Sequence, residues 1–524
     1  MQEKSRKAVR KRASTPLYVS PNQLTLCGFE TPFEQALTSA NRWVKLSRLL
    51  PWDNIVKPYD AHFKSEEGRP PISGRIVIGA VIIKHLLNLS DRETVQQIQE
   101  NVFMQYFLGY SSFTNEAPFS PSLFVSIRER LSLAVINSIN DIVIAHSFDK
   151  TPGQPASTIS QKEETDSTDD TPPTAATDDN GISKEEEPPP VQKPTLPHAG
   201  KLLMDATVAP QNITYPTDLK LLNAARLKSE AIIDQLYNKG LYGPAKVRTY
   251  RQLAQKDFLN TAKKKSKTSK AIYRANGSQL RYLKRNLQYI ADMLQMYEAV
   301  DVATPLKHRD FEYLQTIRLV YEQQFAMHTT RTHSIENRIV NIHQPYVRPI
   351  VRGKDGKKVE FGSKLQASLV NGFMVIEKLS WDNFNEGQCL MDTVEAYRKR
   401  FGFYPAEVLA DKIYCTRENR RRLKELSIML RSKPLGRPSA EALSNPVSPG
   451  ERNPIEGKFG QAKVGYGLEC IKAKLKTTSE SWVATITLVL NLVNLTRLGL
   501  VSLYQGFIVL MGCYFGRKKF ELSL

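Results

Sequence analysis

KLLMDATVAP, residues 201–210, is the stretch that decides the fold class of this chain. A short apolar run of this kind is typical of a buried β-strand, and we predict a strand that closes at Asp205. The run AEVLAD at 406–411 has the same character and predicts a second short strand that closes at Asp411. Carboxylates at the ends of two strands can meet above one edge of a sheet, so this pair is the first candidate for a functional site.

The sequence between these two runs predicts the rest of a sheet. SIENRIVNIHQPYVRPIV, KKVEFGSKLQASLVNG and FMVIEKLSW, between 334 and 381, alternate apolar and polar residues and are punctuated by glycines, which are strand and hairpin signals. EGQCLMDTVEAYRKRFG at 386–402 has the apolar spacing of an amphipathic helix. Several strands, a helix and a further strand predict a mixed α/β sheet.

Residues 219–330 are predicted to be helical and strongly basic. From Lys246 to Arg285 the chain has thirteen Lys or Arg residues against the single Asp257, and tyrosines are interleaved with them. Basic side chains bind the phosphates of nucleic acid, and tyrosines can stack on unpaired bases. The alternative is one solvated helix face with aromatic residues packed beneath it. For the tyrosines we favour that alternative.

Two segments of different character precede the first strand. Residues 31–150 contain several closely spaced helical patterns, which predict a small helical domain. Such a domain is a common vehicle for DNA binding, and a packing or dimerisation module is an equal alternative. Residues 151–199 are rich in Thr, Pro, Asp and Glu and nearly free of large apolar residues, so they are predicted to be a disordered linker. Ten acidic and two basic residues lie between Gln161 and Glu187.

The composition restricts the class of partner and the compartment. The 524 residues include 73 Lys and Arg against 53 Asp and Glu, and the net charge of +20 indicates a polyanionic partner, most commonly nucleic acid. Five scattered cysteines without a C-x-x-C pair predict neither a zinc site nor a disulfide framework, which favours a reducing compartment. The uncharged segment 498–515 is near the minimum length of a membrane span. Its polar residues and glycines favour a buried terminal segment, and no membrane partner is expected.

ERNPIEGKFGQAK at 451–463 offers a third carboxylate, Glu456. Asn453 as an N-cap and Pro454 at the first helical position would give Glu456 the third helical position, close to a capping box. The spacing also leaves room for a functional role. Glu456 and Lys463 are seven residues apart, or two helical turns, and therefore share a face.

Three carboxylates could support metal-dependent chemistry. The side chains of Asp205, Asp411 and Glu456 supply hard oxygen ligands, which suit Mg²⁺ or Mn²⁺. A pair of such ions about 4 Å apart can activate an attacking oxygen and stabilise a leaving oxygen in phosphodiester chemistry. Each aspartate alone is more often a turn or capping residue, so the case depends on all three converging.

Several separated segments together resemble bacterial insertion-sequence transposases of the DDE type. A GRP triplet at 436–438, between the second aspartate and the glutamate, also looks like a family feature. The segments that carry the resemblance are FEQALTSANRWVKLSRLLPWDNI (33–55), LLMDATVAPQNITYPTDLKLLNAAR (202–226), WDNFNEGQCLMDTVEAYRKRFGFYPAEVLADKIYCTRENRRRLKEL (381–426) and ERNPIEGKFGQAK.

This resemblance implies an RNase H-like catalytic core. It places the family's first aspartate on Asp205, its second on Asp411 and its glutamate on Glu456, as ligands of two Mg²⁺ or Mn²⁺ ions. Arg452 and Lys463 keep the last two spacings of the family's Tyr-Arg-Glu-Lys signature around that glutamate. Where the signature has tyrosine, this chain has Pro449.

The resemblance also implies a reaction and its partners. The enzyme would cut DNA at the terminal inverted repeats of an insertion sequence and transfer the freed 3′ ends into target DNA, as a homodimer on double-stranded DNA in the bacterial cytoplasm. The basic helical region would be an insertion in the core that carries DNA contacts. The residues expected to hold DNA are Arg452, Lys458, Lys463, Lys263, Lys264 and Lys265.

Two alternative functions remain open at this point. One is a metal-dependent nuclease with the same triad and no strand transfer; the other is a non-catalytic DNA-binding derivative of a transposase. The predicted parts are a basic flexible N-terminus (1–30), a helical N-terminal domain (31–150), the linker (151–199), an RNase H-like catalytic domain (200–497) with its insertion at about 219–330, and an apolar C-terminal tail (498–524).

Overall fold

The computed structural model describes residues 36–63, 71–149, 198–351, 359–432 and 449–521, and for Asp149 and residues 499–521 it describes only the backbone. The predictions for the basic N-terminus, for the linker up to residue 197 and for the GRP triplet lie outside these residues. The prediction that the apolar tail is buried depends on side chains beyond residue 498, which also lie outside them.

The chain before the sheet folds into helices, and polar side chains cap several of their starts. At α5, Ser90 Oγ accepts from the Glu93 N–H at 3.2 Å and Glu93 Oε2 accepts from the Ser90 N–H at 2.8 Å, which is a complete capping box. Asn101 caps α6 in the same region. The helices are α1 (Arg42–Leu49), α2 (Trp52–Ile55), α3 (Lys57–Asp60), α4 (Gly74–Leu86), α5 (Asp91–Glu100), α6 (Val102–Leu108), α7 (Leu123–Arg130) and α8 (Leu133–Asp149).

The sheet is mixed, as the sequence predicts. Strand β3 pairs antiparallel with β1, β2 and β4, whereas β5 pairs parallel with β1, and β6 pairs parallel with β5. The strands are β1 (Lys201–Pro210), β2 (Arg348–Val351), β3 (Val359–Val370), β4 (Phe373–Ser380), β5 (Glu407–Leu409) and β6 (Met429–Arg431).

Two details of the predicted strands are wrong. The alternating stretch from 334 becomes a strand only at Arg348, because a turn precedes it in which the Val347 N–H donates to Gln344 O and Pro345 has no N–H to give to a ladder. Asp205 lies in the middle of β1 and does not close it. The strand continues to Pro210 because residues beyond the aspartate keep pairing with β3.

Helices cover both faces of the sheet. Leu202 and Met204 of β1 belong to one buried cluster, which contains residues of α14 (Leu390–Phe401) and α15 (Arg417–Glu425). Successive side chains of a strand point to opposite faces, so Leu203 and Asp205 face the other side. That side carries α16 (Asn453–Tyr466) and α17 (Lys476–Glu521).

The chain between β1 and β2 forms a helical body with its own core. Arg226 of α9 is fully buried there, and its guanidinium donates to the side chains of Asn223, Glu230, Gln255 and Gln279 at 2.5–3.1 Å. These contacts join three helices through one charge. The helices are α9 (Asp218–Leu236), α10 (Lys239–Tyr242), α11 (Arg251–Ala262), α12 (Ser269–Ala299) and α13 (His308–Thr330).

Helix α17 ties the N-terminal helices to the rest of the chain. One hydrophobic cluster contains residues of α1 to α8 together with residues of β3, β4, α16 and α17. Among the described residues, Lys476–Leu498 of α17 is long and apolar enough to cross a membrane, and 78% of that window is buried inside the protein. The bent pair α7 and α8 passes the same length and composition test only if its two helices count as one span. The burial of the α17 segment is that of a core helix.

A charged cluster lies within this helical core. Asp91 Oδ1 is 3.0 Å from Lys84 Nζ and 2.8 Å from Arg128 Nη1, and both cations are nearly buried. Trp482 of α17 lies beside them, with its ring centroid 5.0 Å from Lys84 Nζ and 5.7 Å from Arg128 Cζ. Hydrogen bonds from Arg128 and the nearby charge of Lys84 outweigh the effect of burial and lower the pKa of Asp91. The single carboxylate of Asp91 is therefore shared by two nearly buried cations.

Candidate active site

The register of the sheet brings the two aspartates together. Strands β1 and β5 run parallel with Leu203 opposite Leu409, so Asp205 and Asp411 lie two residues further along the same pair and on the same face. Asp205 Oδ1 accepts a hydrogen bond from the Ala206 N–H at 2.8 Å, and Asp411 Oδ1 accepts one from the Lys412 N–H at 2.7 Å. The sequence prediction that these two carboxylates meet at the sheet agrees with this register.

The third carboxylate comes from the first turns of α16. A 3₁₀ turn at Pro449–Arg452 leads directly into the helix, so the proline at the signature's tyrosine position is accommodated before the helix begins. The helix starts at Asn453, with Arg452 as the flanking residue and no side-chain hydrogen bond capping it. The predicted N-cap at Asn453 is therefore wrong by one residue. Glu456 falls at the fourth helical position and makes no capping box.

Arg452 contacts all three carboxylates. Its Nη1 is 3.2 Å from Asp411 Oδ1, and its Nη2 is 3.5 Å from Asp205 Oδ2 and 3.8 Å from Glu456 Oε1. The side chains of Asp205, Asp411, Glu456 and Arg452 thus form one cluster, which we call the carboxylate site. Elements distant in sequence supply it: β1, the turn after β5, and α16 with the turn before it.

Burial and charge affect Asp205 most. Its side chain is about one-fifth exposed, compared with about half for Asp411 and Glu456. Burial raises the pKa of Asp205, the negative charges of Glu386 and Asp411 raise it further, and the Ala206 N–H and the Arg452 guanidinium lower it. A cation at this position offsets the repulsion between the carboxylates, and in this structure Arg452 is that cation.

Sequence reasoning missed a second layer of polar residues behind Asp205. Lys364, nearly buried in β3, places its Nζ 2.8 Å from Glu386 Oε1. Tyr414 donates to Gln366 Oε1 at 2.7 Å, and burial raises the pKa of its phenol, which therefore stays protonated. The signal for Lys364 was present in the sequence, because a lysine inside an otherwise buried strand requires a partner.

The donor chemistry of the site fits a divalent metal ion. Among the described residues, no group of three or more metal-ligating side chains is gathered closely enough to hold an ion as it stands. The guanidinium of Arg452 lies between the carboxylates instead. Its nitrogen–oxygen distances of 3.2–3.8 Å are longer than those of a charge-assisted hydrogen bond, which are about 2.7–2.9 Å. Its Nε is buried without a hydrogen-bond partner in the described part of the chain. Carboxylate oxygens are the ligands that suit Mg²⁺ or Mn²⁺, so the donor set of the site fits such an ion, whereas its spacing in this structure does not.

The remaining predicted site residues lie at differing distances from the carboxylate site. Lys463 lies two turns after Glu456 on α16, half-buried. Lys458 lies on a different side of this helix and lines a cavity, and burial lowers its pKa, with a further contribution from the charge of Arg497. The exposed Lys263, Lys264 and Lys265 lie in the connection between α11 and α12, within the helical body.

Tyrosines of the helical body contact its own cations and rings. Tyr273 stacks on His328 with ring centroids 4.0 Å apart, and Arg331 Cζ lies 5.6 Å from the Tyr273 ring. The ring of Tyr250 has Arg285 Cζ at 4.6 Å. Rings used in this way are less available for stacking on bases. Both residues are 40% exposed, so these two tyrosines do not pack beneath the helix face as the favoured interpretation predicts.

Comparisons with known proteins match two parts of the chain. Residues 31–130 match the family model of a transposase domain (DUF772), and residues 408–493 match the model of a transposase DDE domain. The second match contains Asp411 and Glu456, whereas Asp205 lies outside it. An uncharacterised protein, ORF8 in the nfe locus of Rhizobium meliloti, is 32% identical over 88 residues, which are 17% of this chain and 42% of that protein. No solved structure matches the chain.

Proposed function

We propose that this chain is a DDE-type insertion-sequence transposase that cuts DNA at the terminal inverted repeats of its element and joins the freed ends to target DNA. The two family matches support the transposase assignment. The observation that carries this proposal is the convergence of Asp205, Asp411 and Glu456 on Arg452. Three carboxylates, from the middle of a strand, a loop and a helix, share one cation, and such an arrangement supports a metal-dependent reaction at phosphate.

The sheet supports an RNase H-like core as part of this proposal. Strand β3 pairs antiparallel with β1, β2 and β4. Two parallel strands follow β1 in the spatial order β2-β3-β1-β5-β6, with β4 also paired to β3. The helix that carries Glu456 packs on the face that carries Asp205. The helical body enters this core between β1 and β2, which agrees with the proposed insertion.

Each residue of the site has a distinct task in the proposed reaction. Asp205, Asp411 and Glu456 would hold two Mg²⁺ or Mn²⁺ ions, which supply activation of the attacking oxygen and stabilisation of the leaving oxygen. Arg452, once released from the carboxylates, can bind a phosphate beside the scissile bond. Lys463 follows Glu456 by two turns and can bind the next phosphate on that side of α16.

Arg452 and the metal ions compete for the same oxygens, which predicts the effect of removing the arginine. Arg452→Ala is expected to bind Mn²⁺ more tightly than the wild type when DNA is absent, while cleaving DNA more slowly. Calorimetric titration of the metal-free protein measures this affinity, and a bound ion at a hundredfold excess over Kd should stabilise the fold by about 2.7 kcal/mol.

Arg421→Ala is the matched control, because Arg421 is an exposed arginine whose one ion pair among the described residues is with Glu425 on its own helix. Its Mn²⁺ affinity should equal that of the wild type. Weaker Mn²⁺ binding by Arg452→Ala would contradict the competition and would make the arginine a support of the metal site.

The helical body is proposed to bind duplex DNA through its phosphates. The residues from Lys263 to Lys270 are all exposed and include five lysines, and none of these lysines has an acidic partner within 4 Å among the described residues. Since Tyr250 and Tyr273 are engaged with cations and rings of the protein, contacts to the DNA backbone are favoured over stacking on unpaired bases.

Replacing Lys263, Lys264 and Lys265 together by alanine should weaken DNA binding and its salt dependence. Each lost phosphate contact lowers the slope of log K against log salt by about 0.9, so three contacts lower it by about 2.7. Fluorescence anisotropy with a short duplex over a series of salt concentrations measures this slope. The triple arginine variant keeps the charges and should keep the slope; an unchanged slope in the alanine variant would contradict the proposal.

Assembly and location follow from the same proposal. A reaction at two element ends requires two active sites, so we propose a homodimer on DNA, located in the bacterial cytoplasm with the nucleoid and without a membrane partner. An assay of wild-type protein with Mg²⁺ or Mn²⁺ on DNA that carries the element's terminal repeats tests the function. Joined products are expected. Cleavage without joining would favour a nuclease, and a shifted band without cleavage would favour a non-catalytic DNA-binding protein.

A further inference from the structure

Helix α16 contains glycines that the described part of the protein does not require. Gly457, Gly460 and Gly465 lie inside Asn453–Tyr466, and a Cβ built on any of them meets no described atom within 4 Å outside its own helix. Glycine is less favourable than alanine within a helix. A helical glycine without a packing neighbour among the described residues leaves room for the close approach of another backbone.

Two of these glycines lie between the carboxylate site and a cavity. At about 100° per residue, Gly457 and Gly460 fall on the side of α16 between Glu456 and a second group made of Lys458 and Gln461. Glu456, Gly457, Gly460 and Gln461 are all exposed, so this side of the helix is open to solvent. Gly457 and Gly460 thus leave a gap among the side chains of this side, with the exposed Asn453 one turn before Gly457 and the exposed Val464 one turn after Gly460.

The cavity beside this gap has a surplus of positive charge. Its volume is about 930 Å³, and its lining includes Lys458, Arg497, Lys201, Arg431 and Glu451. Lys201 and Arg431 are neutralised by ion pairs with carboxylates of the protein. Among the described residues, no carboxylate lies within 4 Å of the charged atoms of Lys458 or Arg497. Arg497 Nη2 donates to Asn494 Oδ1 at 3.2 Å, but no carboxylate of the described residues neutralises the charge of either cation.

We propose that one DNA strand crosses α16 over Gly457 and Gly460, and that Lys458 and Arg497 bind its backbone phosphate at the mouth of the cavity. The helix diameter of about 10 Å separates this phosphate from the carboxylate site, which a strand spans in a few nucleotides. The glycines let the sugar–phosphate backbone lie against the helix. This inference rests on the proposed function, because the same strand must reach the carboxylate site.

Side chains added at the glycines test the path of the strand. Gly457→Ala and Gly457→Met fill empty space in the free protein and favour the helix, so both variants should melt at or above the temperature of the wild type. Both should nevertheless bind DNA more weakly, and the methionine variant should lose cleavage on the order of 10²-fold, because it displaces the strand from the carboxylate site. Gly465→Ala and Gly465→Met are matched controls in the same helix, outside the cavity lining, and should behave as the wild type.

Removal of the two cations tests the phosphate site. The double variant Lys458→Ala, Arg497→Ala should bind a short duplex of arbitrary sequence with a smaller slope of log K against log salt. One lost phosphate contact lowers this slope by about 0.9. Lys399→Ala, which removes an exposed lysine of α14, is the control and should keep the slope.

The outcomes separate this inference from the proposed function. DNA binding that is equal in the wild type and in the Gly457 and Lys458/Arg497 variants would overturn the inference and leave the function standing. Variant-sensitive binding without any cleavage by the wild type would support the strand path and overturn the catalytic function. Failure of the wild type to bind duplex DNA would overturn both.

Discussion

Glu456→Gln should abolish DNA cleavage and joining while the protein remains folded and bound to DNA. The substitution keeps the shape of a side chain that is more than half exposed and removes one of the three negative charges around Arg452. A site that loses a metal-ligating carboxylate loses the ion and its charge stabilisation together, so we expect a decrease of at least ~10³-fold, or about 4 kcal/mol of transition-state stabilisation. Cleavage of DNA carrying the element's ends, followed on a denaturing gel, measures it.

The control for this prediction is Glu469→Gln, an exposed glutamate in the loop after α16. It should cleave and join at the wild-type rate. If Glu456→Gln were as active as this control, the carboxylate site would not be the catalytic centre. Melting temperatures of both variants should lie near that of the wild type, since neither side chain is buried.

Asp91→Ala should destabilise the protein by about 3–5 kcal/mol, the largest effect on stability that we expect from one polar substitution. The substitution leaves the nearly buried cations Lys84 and Arg128 without their shared carboxylate. The folded protein lowers the pKa of Asp91, so its contribution is present above the ordinary pKa of aspartate and is lost as pH falls through the lowered value. Denaturant unfolding at neutral pH measures the difference.

Asp234→Ala is the matched control. Asp234 also pairs with one lysine and one arginine, Lys246 and Arg251, but these side chains are more than a third exposed. Exposed pairs of this kind contribute at most about 1 kcal/mol. Lys84→Met in the Asp91→Ala background should recover part of the loss, because it removes an uncompensated charge. Equal losses in Asp91→Ala and Asp234→Ala would refute the buried-cluster explanation.

The strands and the two aspartates were predictable because apolar runs directly reflect burial in a sheet. The end of β1 was not predictable, since residues beyond Asp205 stay in the strand only through their pairing with β3, which lies more than 150 residues away in sequence. The irregular chain before β2 alternates like a strand, but it forms a turn around Pro345. Local patterns do not report which backbone groups find a partner.

The carboxylate site was likewise only partly predictable from local sequence patterns. Sequence spacing could place Glu456 in the first turns of a helix, and the capping explanation for it was reasonable there. The helix begins at Asn453, so the cap is not made, and Arg452 contacts the glutamate instead. The contacts of the same guanidinium with Asp205 and Asp411 depend on the register of β1 and β5, which no local pattern encodes. The boundaries of the N-terminal domain, the linker and the insertion remain predictions.

The position of α17 has a consequence for how the protein is made. The helices before the sheet share their hydrophobic cluster, including the neighbourhood of Trp482, with the helix that begins at Lys476. A ribosome synthesises α1 to α8 more than 300 residues before it reaches α17. The part of their apolar surface that α17 covers therefore stays exposed during that interval. A message truncated before residue 476 yields a product in which these helices lack that cover.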